Sequence, residues 1–296
     1  MTNETRATLL ALGAVLCWST VASAFKLSLR YLEPLQLLAG AALFSLVTLG
    51  GLLVATGQWR ELRATTRGDL ARSVALGVCN PLLYSVVLFA AYDRLPAQEA
   101  QPLNYTWAFT LAILAVPLLG QRPGRWDLIG GLIAYAGVWV IATRGQVLSV
   151  EFADPLGVAL ALGSTVLWAL YWIGSTRDQR PPLVSLFSHF AAAAPLIVIV
   201  CLMVHGIDAT PWQGLVGAAY VGVFEMGVAF ALWLGAMRRT GSAARIGMLI
   251  FLSPFLSLVF IRVLVGEVIL TSTLVGLVFI VTGLVAQQWL RPGASA

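Results

Sequence analysis

Residues 13–18 read GAVLCW and residues 163–168 read GSTVLW. Each stretch lies inside an apolar run, and each places a tryptophan five positions after a glycine. Trp18 and Trp168 are 150 residues apart in a chain of 296. The register recurs further on. Gly77, Asn80 and Tyr84 are answered 145 residues later by Gly222, Glu225 and Ala229. LLGQ at 118–121 is answered by LVGE at 264–267, and Gly130 and Gly137 by Gly276 and Gly283, each at an offset of 146. One such match is easily imitated between apolar segments. A register held across four elements points to internal duplication, with residues 1–145 as the first unit and 146–296 as the second.

Composition fixes the solvent in which the two units fold. Hydrophobic residues make up 59% of the chain and charged residues 10%, against about 45–50% and about 25% in an ordinary soluble domain. Apolar runs near membrane-spanning length fall at about 7–25, 35–56, 70–91, 97–119, 128–143, 155–175, 183–204, 212–236, 242–264 and 271–290. The fifth is the shortest. The longest polar segments, 57–69 and 144–154, are too small to bury a core. The expected fold is therefore an all-α integral membrane protein of ten transmembrane helices. No cleavable leader is read at the start of the chain. Cys17, Cys79 and Cys201 lie in apolar runs as packing residues, and no CxxC or metal-ligand cluster is present.

Basic residues set the orientation. Arg6, Arg60, Arg63, Arg67, Arg72, Arg122, Arg125, Arg177, Arg180, Arg238, Arg239 and Arg291 fall on one side of a ten-span chain. Lys26, Arg30, Arg94, Arg144 and Arg262 fall on the other. Twelve against five predicts cytoplasmic termini, and the net charge of +5 concerns insertion rather than nucleic acid. Five is odd, so the second unit enters the membrane from the opposite side. The result is a 5+5 inverted-topology repeat, an architecture that places a site near the midplane between the halves.

Polar and aromatic residues sharing a helical face mark that site. In the third span these are Asn80 and Tyr84, with Gly77. In the eighth it is Glu225, in AAYVGVFEMGVAFALWLGA (218–236). A mid-span acid either pairs with a buried arginine or lines a cavity. In the fourth span Gln98, Gln101 and Tyr105 share a face, with Trp107 off it. In the sixth, Trp168, Tyr171 and Trp172 cluster away from the interfaces where such rings usually gather, and Trp18 is expected to face Trp168 across the pseudo-two-fold axis. Pro102 and Pro254 fall in corresponding spans, as bending points or as ordinary tolerated prolines. His189 reads as a hydrogen-bonded structural residue, and the NYT at 104–106 as a sequon made irrelevant by its place in a span. The glycine stripes of the fifth and tenth spans read as close-packing faces, between halves or between protomers.

These features resemble the EamA type of the drug/metabolite transporter superfamily over essentially the whole chain. The resemblance rests on GAVLCWS in the first span, AAYDRLPAQEA between the third and fourth, LLGQRPGRWDLIGGLIAYAG, and its counterpart LVGEVILTSTLVGLVFIVTG. It is similar in particular to the exporters of aromatic and other amino acids. The resemblance implies a bacterial inner-membrane exporter of small metabolites with a cavity lined by spans 1, 3, 4, 6, 8 and 9. One departure stands out. The small four-span relatives carry an acid in their first helix for proton exchange. Here that helix has only Ser19, Thr20 and Ser23 at mid-span.

The expected activity is alternating-access export of amino acids, with the cavity residues Trp18, Asn80, Tyr84, Gln101, Tyr105, Trp107, Trp168, Tyr171, Trp172 and Glu225. No cofactor is called for, and no nucleotide motif suggests ATP. The partners are a small-molecule substrate and the bilayer, with the chain as a monomer or homodimer. A drug or other metabolite exporter is the alternative. An intramembrane enzyme would need HExxH, paired aspartates or Ser with His, and none is found. A channel would not need the repeat and paired prolines.

Overall fold

The structure is a computed structural model. It describes residues 2–120, 125–148, 152, 154–175, 177–206, 211–237, 239–240, 246 and 249–289. Arg122, Arg238 and Arg291 of the charge count, Gln121 of the LLGQ motif, and the start of the ninth apolar run lie outside these residues.

The main helices are α1 (Asn3–Ser28), α2 (Pro34–Ala55), α3 (Arg67–Arg94), α4 (Ala97–Leu119), α5 (Arg125–Ala142), α6 (Pro155–Ser175), α7 (Pro182–His205), α8 (Trp212–Met237), α9 (Leu249–Val265) and α10 (Thr271–Trp289). A five-residue helix, Trp59–Arg63, lies between α2 and α3. Seven of the ten are long and apolar enough to cross a membrane: α1, α2, α3, α4, α6, α7 and α8. The apolar parts of the other three are shorter, Leu128–Ala142, Leu249–Val265 and Thr271–Ala286.

Local chemistry sets the helix ends. The Thr2 side chain accepts from the Thr5 amide at 3.2 Å. Glu33 and Gln36 form a capping box ahead of Pro34, and Thr66 and Asp69 form another. Each satisfies amides that the first helical turn leaves open. Two stops explain a repeated motif. Gly120 in LLGQ and Gly266 in LVGE end α4 and α9 in the left-handed conformation, at φ 67° and 83°. A side chain is strained there, which is why both copies carry glycine.

Packing follows a pattern. α1 lies against α8 and α9, and α6 lies against α3 and α4. α2 packs on α8 and α7 on α3; α2 also meets α7, and α5 meets α10. Glycines permit the closest approaches. A methyl group on Gly77 would overlap the backbone carbonyl of His189, and one on Gly222 would overlap that of Ala41. Gly137 and Gly276 face each other's carbonyls, and Gly283 faces that of Gly130. The glycine stripes thus join α5 to α10 within one chain, where close backbones gain dispersion contacts that lipid cannot supply. Large apolar side chains such as Val47, Leu132 and Met203 point outward, the arrangement expected of a lipid-facing surface.

Four helices are not regular. α3 is kinked within Val78–Leu83, where Asn80 leaves helical geometry at φ −148°, ψ 121°. α8 has a wide π-type turn at Val221–Val228, which contains Glu225. α4 breaks at Tyr105–Thr106, between the segments Ala97–Asn104 and Trp107–Leu119. α9 starts with a tight turn, Leu249–Phe251, before the segment Leu252–Phe260. The two prolines flank these last breaks on opposite sides. Pro102 precedes the break in α4, and Pro254 follows the turn in α9. The sequence placed them in equivalent spans, but the feature they share is the break.

Candidate functional site

Trp168 on α6 is the hub of an aromatic cluster drawn from four helices. Its ring centroid lies 4.6 Å from Tyr84 of α3, 6.4 Å from Trp107 of α4 and 6.4 Å from Phe230 of α8. Its own helix adds Tyr171 at 5.9 Å and Trp172 at 6.0 Å. Tilted and edge-on pairs at these separations are the favourable arrangements of aromatic quadrupoles. Trp107 belongs to the cluster although it lies off the Gln98–Gln101–Tyr105 face. Trp107 shares a second face of α4 with Asn104 and Thr110, which bond to Ser164 and Thr165 of α6, while Tyr105 turns to Ser253 of α9.

Trp18 does not meet Trp168. Its partners are Phe230 at 5.7 Å and Trp233 at 5.4 Å, both on α8. Phe230 therefore stands between the two tryptophans and touches both. Tyr171 is 5% exposed, and its hydroxyl shares a hydrogen bond with His189 Nδ1 at 3.1 Å. It braces α6 against α7 on the edge of the cluster. His189 Nε2 lies 3.6 Å from Asp178, which is paired with Arg180 at 2.7 Å. Arg180 also donates to Ser73 at 2.8 Å. Burial pushes the Asp178 carboxyl up, but the Arg180 guanidinium and backbone amide outweigh it and hold it below the usual carboxylate range.

Several buried polar groups of the spans have unused valence. Neither side-chain atom of Gln101, at 2% exposure, has a hydrogen-bond partner among the described residues. The same is true of Trp172 Nε1, Glu225 Oε2, and the hydroxyls of Ser23 and Ser257. Buried polar atoms usually find partners. A group of them on α1, α4, α6, α8 and α9 suits a place where water or a polar solute comes and goes. Tyr105 donates to Ser253 at 2.7 Å, tying α4 to α9.

The sequence marks Asn104 only as part of a sequon inside a span. It accepts from the Tyr84 hydroxyl at 3.5 Å and donates to Ser164 at 2.9 Å, so it connects α3, α4 and α6 beside the cluster. Its spacing of three from Gln101 was the available signal. Phe230 was missed because an apolar residue in an apolar span carries no mark of its own.

Gln98 leaves the site for the end of the molecule. Its side chain donates to the Val268 carbonyl at 2.8 Å and accepts from the Leu270 amide at 2.8 Å. Glu267 accepts from the amides of Ala97 and Gln98 at 2.8 and 3.2 Å, capping α4 from the other half of the chain. Lys26 donates to the carbonyls of Tyr92 and Leu95, Arg30 to that of Val265, and Glu99 pairs with Arg144 at 2.7 Å. Arg94 pairs with Asp154 at 3.1 Å. The Gly157 amide, and then Arg94, keep the Asp154 carboxyl below its ordinary range. At this end Glu267, Gln98, Arg30 and Arg94 link the two halves, while Lys26 and the Glu99–Arg144 pair tie together the first half. Among the described residues, no group of three or more His, Cys, Asp or Glu could hold a metal ion.

The EamA-like transporter family model matches residues 5–143 and 155–286. The chain is 26% identical over 263 residues to the aromatic amino acid exporter YddG of Ancylobacter novellus, covering 86% of this chain and 87% of that protein. It is 25% identical over 207 residues to the threonine/homoserine exporter RhtA of Escherichia coli, covering 69% and 65%. A solved crystal structure superposes with a TM-score of 0.69 at 22% identity over 99% of each chain, a likeness of fold. The chain belongs to the EamA-like transporter family. It is a multi-pass membrane transporter of small molecules, and not an enzyme.

Proposed function

We propose that this protein exports amino acids, aromatic or neutral, across the bacterial inner membrane by alternating access. The observation that carries the reading is the Trp168 cluster together with the unpartnered Gln101, Trp172 and Glu225 on the helices that build it. The rings suit an apolar side chain. The amide, carboxylate and Asn80 suit the ammonium and carboxylate of an amino acid, whose desolvation needs such partners.

In this reading all ten helices span the membrane as two inverted units, 1–145 and 146–296. The packing supports it. Exchanging each helix for the one five places on turns α1–α8 into α6–α3, α1–α9 into α6–α4, and α2–α8 into α7–α3, all observed pairs. Gly77 and Gly222, Gly120 and Gly266, and the positions of the irregularities around Asn80 and Glu225 correspond under the same exchange. So are the ring pairs Trp168–Tyr84 and Trp18–Phe230. Tyr84 then corresponds to Phe230, one residue beyond the Ala229 of the sequence register. α3 is kinked where α8 is widened into a π-type turn, and this difference lets the register slip by one.

The arginine bias orients both termini to the cytoplasm. The end closed by Lys26, Glu267 and Gln98 is then periplasmic, and export requires it to open. The breaks at Tyr105–Thr106 and Leu249–Phe251 are the bending points, with Pro102 and Pro254 beside them. Helices bend with least loss where the hydrogen-bond ladder is already interrupted.

Counterflow of labelled phenylalanine and threonine into liposomes holding the purified protein tests the substrate class. We expect exchange of at least one, and loss of phenylalanine exchange in Trp168→Ala. Absence of exchange for either amino acid, in a preparation that transports another solute, rejects the proposal.

A further inference from the structure

Away from the Trp168 cluster, a groove of about 760 Å³ runs between α2 and α7. Its walls include Leu43, Val47, Gly51, Val54, Phe187 and Ile199, all of them apolar or glycine. Leu43 to Val54 spans about 16 Å of helix at 1.5 Å per residue. That is about half of a ~30 Å hydrocarbon core, the depth of one leaflet.

The floor of the groove is costly for the helix. Gly50 and Gly51 sit together inside α2, where each glycine lowers helix stability by about 1 kcal/mol relative to alanine. Gly51 is not needed for packing, because a methyl group there would meet nothing within 4 Å. The space it leaves opens outward, where Val47 is 76% exposed.

The mouth has its own chemistry. The short helix Trp59–Arg63 closes one end, and Trp59 lines the groove with its ring 6.0 Å from Phe187. Tryptophan at the end of a leaflet-deep groove is an interfacial residue. Arg63 lies four residues on, on the same helical face, and Arg60 is adjacent. Both are exposed and neither has an ion pair or hydrogen bond among the described residues. Glu61 is the acid on this short helix.

We propose that the groove binds an anionic phospholipid, with an acyl chain between α2 and α7 and the phosphate at Arg60 and Arg63. The apolar walls fit a lipid tail, and the unpaired arginines favour a negative headgroup over a zwitterionic one. The site is distinct from the transport site, and it holds whichever face of the membrane this end occupies.

Native mass spectrometry of the full chain in detergent, with added phosphatidylglycerol or phosphatidylcholine, tests it. We expect phosphatidylglycerol to be retained preferentially, and Arg60→Gln and Arg63→Gln each to weaken its retention about fivefold, the effect of one basic residue near an anionic surface. Gly51→Leu, whose Cβ would meet nothing within 4 Å, places its side chain in the groove and should reduce retention of both lipids. Val47→Phe fills it from an exposed position and serves if Gly51→Leu does not elute as a monodisperse peak. Equal retention of the two lipids by the parent protein overturns the proposal. So does undiminished retention when the groove is filled, or a parent dimer that Gly51→Leu converts to monomer, since a second copy would then occupy the groove.

Discussion

Removal of the Glu267 carboxylate should release the closed end of the molecule. Glu267 accepts two backbone amides at the start of α4, at 2.8 and 3.2 Å, and it reaches them from the opposite half of the chain. Loss of a helix-capping acceptor costs about 1 kcal/mol, within a range of about 0.5–2. The second amide and the lost interaction with the helix N-terminus bring the total to about 2–3 kcal/mol. If these contacts exist only in the closed state, Glu267→Ala shifts the equilibrium toward opening by roughly 30- to 150-fold, since about 1.4 kcal/mol is tenfold. Glu267→Gln keeps one acceptor oxygen and should shift it by about tenfold. The assay is the labelling rate of a single cysteine at Ser257, which is fully buried in the closed form, with Cys17, Cys79 and Cys201 replaced by serine. A membrane-impermeant thiol reagent should label the Glu267→Ala protein faster than the parent, in the same order as the two substitutions predict. An unchanged rate in both variants refutes the argument that this cap holds the end shut.

The other predictions concern packing, register, bending and charge. Gly77→Ala and Gly222→Ala each push a methyl group into a carbonyl of the neighbouring helix and should cost about 1–3 kcal/mol, read as a lower melting temperature in detergent; Gly51→Ala should cause no loss. Tyr105→Phe and Ser253→Ala each break the 2.7 Å bond between α4 and α9; a double-mutant cycle should return a coupling of about 0.5–1.5 kcal/mol, and zero coupling would disprove the contact. Pro254 is the third residue of its helical segment, where amides have no helical partner. Pro102 lies deeper, as the sixth residue of its own segment, so Pro102→Ala should slow counterflow while Pro254→Ala leaves it within about twofold, a smaller backbone effect at the helix start. Equal slowing in both would reject that distinction. Asp154 and Asp178 have carboxyls held below their unfolded range. Their stabilisation is therefore full above about pH 4 and is lost as pH falls through the lower folded values. Asp178→Asn should flatten the loss of thermal stability on acidification, and an unchanged pH profile would contradict the pairing with Arg180.

The membrane class was legible in the sequence because lipid imposes it residue by residue: a span must be apolar along its whole length. The helix ends at Gly120 and Gly266 were legible as a repeated motif, since a left-handed backbone favours one residue type wherever it occurs. Gly137 and Gly276 could be marked as close-packing positions without knowing what they pack on, whereas Gly77 and Gly222 could be marked only as repeat-matched members of a polar face. Their partners, the carbonyls of His189, Ala41 and each other, come from helices far away in the chain, so only the tertiary structure could name them. The aromatic residues of α6 were likewise visible as a cluster, but which rings join them was not. Phe230 looks like any span residue, and Trp107 enters because α4 turns a second face, with Asn104 and Thr110, to α6. Periodicity assumes a straight helix, and the site is built where α3, α4, α8 and α9 depart from one. Glu225 could be named as a buried acid from its depth in an apolar run. That its Oε2 lacks a partner depends on what every surrounding helix brings to it, which is a property of the packed bundle and of no single stretch of sequence.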